Sequence, residues 1–126
     1  MKVIIAGSRD ITNYNLLKEV IKESGFKITE VVSGCAKGVD KLGEDYADHC
    51  MIPVKKFPAK WADLSEPCIV AENQYGKYNK LAGINRNKEM AEYADALICL
   101  HDGSKGSLSM VEIAKEAGLK VFEKKV

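Results

Sequence analysis

Lys2-Val3-Ile4-Ile5-Ala6-Gly7-Ser8-Arg9-Asp10 decides the fold. The run from Lys2 to Ala6 is continuously apolar and β-branched instead of alternating, as in a parallel strand covered on both faces. It stops at Gly7-Ser8-Arg9-Asp10, a loop leaving the strand's carboxyl end. Thr12 or Asn13 then caps a helix carrying Leu16, Leu17, Val20 and Ile21 at helical spacing, closed by Ser24-Gly25.

This strand-loop-helix unit recurs. Ile28 to Val32 reads as a second strand, Ser33-Gly34-Cys35-Ala36-Lys37-Gly38 as its loop, and Val39, Leu42, Tyr46 and Cys50 as one face of a second helix. Ile52 to Phe57 reads as a third strand, with Pro53 indicating a strand end or sheet edge. Periodicity lapses from Pro58 to Lys80, a stretch holding Trp61, Pro67, Tyr75, Gly76 and Tyr78, and connections this long often carry function. We expect a long loop or lid at about 58–80, with aromatics able to stack on a base. Helical spacing returns near Ile84 and runs through Met90, Ala91 and Ala94. Ala96 to Leu100 follows as a fourth strand, then the loop His101 to Ser107, a helix bearing Met110, Val111, Ala114 and Ala117, and a short strand from Leu119 to Phe122. Strands alternating with amphipathic helices predict an α/β, Rossmann-like three-layer αβα sandwich around a five-stranded parallel sheet, strand order 3-2-1-4-5. The 126 residues suit a single domain over 1–126.

Composition narrows the function. With 46% hydrophobic and 29% charged residues the chain is globular. Nineteen basic residues against eighteen acidic ones leave a net charge of +1, which argues against wrapping nucleic-acid phosphates. The N-terminal apolar run breaks too early for a signal peptide or membrane span, so a cytoplasmic protein is expected. Cys35, Cys50, Cys68 and Cys99 form no CxxC pair and read as reduced thiols. His49 and His101 lack companions at ligand spacing, so neither a metal nor a cofactor is expected.

In such a sheet, ligands bind beyond the carboxyl ends of the strands, where the strand order reverses. The three glycine-bearing loops leave such ends, and each runs into a helix whose first N–H groups favour anions. No loop is an intact GxGxxG or Walker A sequence, so their joint placement carries the signal. Arg9 and Arg86 stand out in a chain whose positive charge is otherwise lysine, and their guanidinium forks suit phosphate. Ser8, Ser33 and Ser107 are candidate phosphate hydrogen-bonders, since no GxSxG elbow makes any of them a nucleophile. Asp40 and Asp102 either bond a ribose or cap helices. The candidate ligand site is therefore Gly7, Ser8, Arg9, Ser33, Gly34, Gly38, Asp40, Arg86, Asp102, Gly103, Gly106 and Ser107.

Taken together, Gly7-Ser8-Arg9, Ser33 to Asp40, Asn85 to Met90 and Asp102 to Ser107 resemble the YspA/YpsA-related branch of the SLOG superfamily. The resemblance implies a Rossmann-like domain that binds nucleotides or nucleotide derivatives, in some members within bacterial or phage stress and conflict systems, and pairing into a homodimer. The superfamily also holds LOG-type phosphoribohydrolases and DprA-type single-stranded DNA binders, which supply the alternative functions. Against the hydrolases' PGGxGTxxE motif, Asp102 stands at the proline, Ser104 at the second glycine, Ser107 at the threonine and Met110 at the catalytic glutamate, while Arg86 matches their arginine four residues before Met90. Methionine supplies no acid or base. Glu112, two positions on, lies about 200° around a helix from Met110. The expectation is ligand binding or sensing without a catalytic residue. Hydrolysis of a nucleotide or NAD-like glycosidic bond and binding of single-stranded DNA are the rivals.

Overall fold

The computed structural model describes residues 1–62, 64, 69–74 and 76–126. Pro67, Cys68 and Tyr75 lie outside the described residues. The elements run β1 (Lys2–Gly7), α1 (Tyr14–Ser24), β2 (Glu30–Ser33), α2 (Val39–His49), β3 (Val54–Lys56), β4 (Val70–Asn73), β5 (Gly76–Asn79), α3 (Ala82–Tyr93), β6 (Ala96–His101), α4 (Lys105–Glu116) and β7 (Lys120–Lys125).

Five parallel strands form one sheet in the order β3-β2-β1-β6-β7. β6 and β7 are the strands expected as fourth and fifth, so the predicted order holds. β4 and β5 make a separate antiparallel pair inside the stretch where periodicity lapses. β1 is central, pairing with β2 through Val3↔Val31 and with β6 through Ile4↔Leu97. Its consecutive apolar residues serve both faces. Val3 and Ile5 meet Leu17, Val20 and Ile21 of α1 and Val39 and Leu42 of α2, while Ile4 and Ala6 meet Met90 and Ala91 of α3 and Met110, Val111 and Ala114 of α4. The result is the expected three-layer sandwich. Burying two helix faces against each side of a sheet supplies most of a small domain's hydrophobic stabilisation.

Several local expectations shift. Asn13 is the cap of α1, its Oδ1 accepting the Leu16 N–H at 3.1 Å, and Gly25 ends the helix. β2 begins at Glu30, two residues later than Ile28, because the register places Glu30 opposite Lys2. Pro53 immediately precedes the edge strand β3, where its missing N–H costs no ladder bond. Cys50 caps the end of α2 and is exposed, not part of its buried face. Cys35 is also an exposed free thiol, while Cys99 is buried. No helix among the described residues is long and apolar enough to cross a membrane.

Candidate functional site

The strand order reverses at β1, between β2 on one side and β6 on the other. The loops leaving β1 and β6 must diverge there, and a cleft of about 620 Å³ opens beyond their ends. Its floor is the first loop, Gly7, Ser8 and Arg9, with Asp102, Gly106 and Ser107 from the β6 loop and α4, and Asp40 and Arg86 from α2 and α3. Ser33, Gly34, Gly38 and Gly103 do not line it, although all four were candidates.

The glycines separate by cause. A Cβ on Gly7 would collide with the Leu100 carbonyl of β6, so this glycine permits the close β1–β6 approach. Gly38 has φ +74° and packs against the carbonyls of Ser8 and Arg9, which locks the start of α2 to the first loop. A Cβ on Gly34 would stand 2.6 Å from Nη1 of Arg86. Gly106, the second residue of α4, has no positive φ, and a Cβ there meets nothing.

The first loop and the β6 loop are joined by hydroxyls. Ser8 Oγ–H donates to Asp102 Oδ1 at 2.7 Å and accepts the Asp102 N–H at 3.0 Å. Ser8 Oγ also lies 3.0 Å from Ser104 Oγ, and the Ser104 hydroxyl donates to Ser107 Oγ at 2.8 Å. With the protons so placed, the Ser107 hydroxyl keeps its own proton uncommitted among the described residues. Ser104 is the cap of α4, but its side chain makes no capping bond, and the helix's first turn carries no acid. The amides at this helix start are oriented to take an anion.

His101 is almost fully buried and holds the β6 loop from below. The Gly103 N–H donates to its Nδ1 at 3.0 Å, which leaves Nε2 to donate to Glu123 at 2.7 Å. The second loop is held by Asp40 and Arg86. Asp40 Oδ2 accepts the Ala36 N–H at 3.3 Å, and burial raises its carboxyl above the usual range, opposed by that amide and by the nearby Arg86 guanidinium. Burial likewise lowers Arg86, with Asp40 opposing. Arg86 donates through Nη1 to the Gly34 carbonyl and through Nε to Asn87 Oδ1 at 2.9 Å. Part of its fork thus serves the protein. Arg9, Lys80 and Lys105 are exposed on the cleft and make no ion pair among the described residues.

Sequence reasoning missed Ser104 and Lys105, although serine before a helical stretch is a capping signal that points to the α4 start. It also missed Lys80, just before α3, and Gly83, Ile84 and Met90, which α3 brings to the cleft, and no local signal marks them. Trp61, expected as one of the aromatics of the long connection able to stack on a base, lines the cleft. Met110 is on the wall and only 2% exposed, whereas Glu112 is solvent-exposed and off the cleft. Among the described residues no group of His, Cys, Asp and Glu is placed to hold a metal ion.

No curated protein sequence matches the chain. Among solved structures, the chain is similar to DNA processing protein A (DprA) from Streptococcus pneumoniae, at 23% identity and a TM-score of 0.71, over 97% of this chain. It spans about half of that protein, 49%. The likeness is one of fold. A family model described as the YspA, cpYpsA-related SLOG family matches residues 1–63, which takes in β1, the first two loops, α2 and β3. The chain belongs to the YspA, cpYpsA-related SLOG family.

Proposed function

We propose that this protein binds a nucleotide or nucleotide-derived phosphate ligand in the switch-point cleft and holds it without turnover. The observation that carries the reading is Gly106. In a helix, glycine costs roughly 0.5–1 kcal/mol relative to alanine, and nothing among the described residues requires one here. A ligand that must approach the α4 amides closely supplies the missing reason. The Ser107 hydroxyl, which makes no donated bond among the described residues, and Arg9 and Lys105, which make no ion pair among them, add donors on the same cleft suited to phosphate oxygens. Met110, at the position of the hydrolases' glutamate, supplies no acid or base to the cleft. A nucleic-acid strand fits less well, because Asp10, Asp40 and Asp102 face the same cleft and offset its cations.

Calorimetric titration with adenosine 5′-monophosphate (AMP) tests the reading, using wild type, Arg9→Ala and Arg9→Lys. Charge-assisted bonds contribute about 1.5–3 kcal/mol each, so Arg9→Ala should weaken binding roughly ten- to a hundredfold. Arg9→Lys should recover only part, keeping the charge and losing the fork. Equal affinities across all three would remove Arg9 from the site. Release of free adenine during the titration would overturn binding without turnover.

A further inference from the structure

The cleft is chemically two-sided. Ser8, Ser104 and Ser107 and the α4 amides gather at one end, while Trp61, Gly83, Ile84, Met90 and Met110 contribute an apolar wall. An anion would use only the first. Trp61 is the one tryptophan in the chain, is 44% exposed, and lines the cleft.

Its placement is fixed from three directions. The Asn79 N–H donates to the Trp61 carbonyl at 2.6 Å, tying it to the end of β5. Tyr78, on β5, meets the indole edge-on, with ring centroids 6.4 Å apart and planes at 68°. The far edge of the ring, Cη2 and Cζ2, stands 3.4 and 3.9 Å from where a Cβ on Gly83 would be, so the indole lies beside the first turn of α3 at ordinary contact distance. The β5 contacts thus hold Trp61 where it lines the cleft.

From this we infer that Trp61 determines specificity: it takes the aromatic base of the ligand, and so admits nucleotides in preference to sugar phosphates that offer only the anion. The inference rests on the phosphate site proposed above and adds the group at the ligand's other end. Stacking on an indole is tolerant of base identity, because every base has a π-face, and it raises affinity on the order of ten- to a hundredfold.

The test compares ligands that share the sugar phosphate and differ in the base. AMP, guanosine 5′-monophosphate and ribose 5-phosphate are titrated against wild type, Trp61→Phe and Trp61→Ala by calorimetry, with thermal melts as the folding control. In wild type, the lone tryptophan reports contact directly through its fluorescence. Both nucleotides should bind roughly ten- to a hundredfold more tightly than ribose 5-phosphate and quench the indole, which ribose 5-phosphate should not. Trp61→Ala should bring the nucleotides down to the ribose 5-phosphate level and leave ribose 5-phosphate unchanged; Trp61→Phe should keep most of the preference. Equal wild-type affinity for ribose 5-phosphate and the nucleotides would overturn the role of Trp61 and leave the phosphate site standing. Equal weakening of all three ligands in Trp61→Ala would reduce Trp61 to a structural residue. If none of the three binds wild type, the phosphate site itself falls and the role of Trp61 with it.

Discussion

Replacing Gly106 with alanine should move stability and affinity in opposite directions. The position is helical, without a positive φ, and the new methyl would meet no atom of the described residues. Alanine gains up to about 1 kcal/mol of helix propensity over glycine, less in a first turn, and the more restricted unfolded chain adds to the gain. A net stabilisation of about 0.4–1 kcal/mol is expected, a rise of roughly 1–5 °C in Tm for a chain of this length. The same methyl stands where a phosphate would rest on the α4 amides. Displacing one or two charge-assisted bonds there should lower affinity for AMP about ten- to a hundredfold or more. Scanning calorimetry and titration calorimetry on the same preparation read both effects. Unchanged affinity in the more stable variant would refute the idea that a ligand approaches this glycine, and a Tm several degrees lower would show that the glycine has a folding role. Gly7→Ala is the contrasting control, because its methyl collides with the Leu100 carbonyl and should prevent folding.

Two further outcomes follow from the buried groups. Burial holds the Asp40 carboxyl above its unfolded value, so just above the ordinary aspartate range near pH 4 the folded state binds more protons than the unfolded one, and this residue makes stability fall as pH rises through that window. Urea melts from about pH 4 to 7 should show that descent in wild type and a flatter profile in Asp40→Asn, while a wild-type-minus-variant difference that rises with pH would contradict the assignment. Burial pushes the Cys99 thiol up to about 12, and the residue is fully buried, whereas Cys35 and Cys50 are exposed. Alkylation mapped by peptide mass should therefore reach Cys35 and Cys50 in the native protein and Cys99 only on unfolding; native labelling of Cys99 at the rate of Cys50 would be the contrary result.

The main sheet was legible because its central strand is buried on both faces, and double burial leaves an uninterrupted apolar run such as Val3 to Ala6. The β4–β5 pair was not. Val70 at its start is 55% exposed, and with little of the hairpin buried the sequence carries no clean alternation to betray it. Cys50 was misplaced because helical spacing continues one residue past the point where α2 ends. In the site, glycine was a sound guide to the loops but an ambiguous one to contact. Gly7, Gly34 and Gly38 are required by the protein's own close approaches and Gly103 by its φ of +95°, whereas Gly106 shows neither cause among the described residues. One letter marks both situations, and only the surrounding atoms distinguish them. The α3 wall, from Gly83 to Met90, is brought to the cleft by tertiary packing of α3 against α4, which leaves no local trace.

Met110 joins the stability of this fold to its proposed function. Its side chain packs among Met90, Ala91, Val111 and Ala114 beneath the sheet and also lines the cleft. At 2% exposure, a carboxylate in its place would lose its hydration, a cost of several kcal/mol unless it were paired or protonated. Arg86, on the same cleft, is already directed to Gly34 and Asn87 and lies beside Asp40. A glutamate at 110 would therefore need a different electrostatic arrangement, with a cation of the cleft such as Arg9, Lys105 or Arg86 turned to it. The methionine dispenses with that requirement and extends the apolar wall that Trp61 begins. On the reading proposed here, losing the acid and gaining a surface for a base are consequences of the same side chain, and both favour holding a nucleotide over cleaving it.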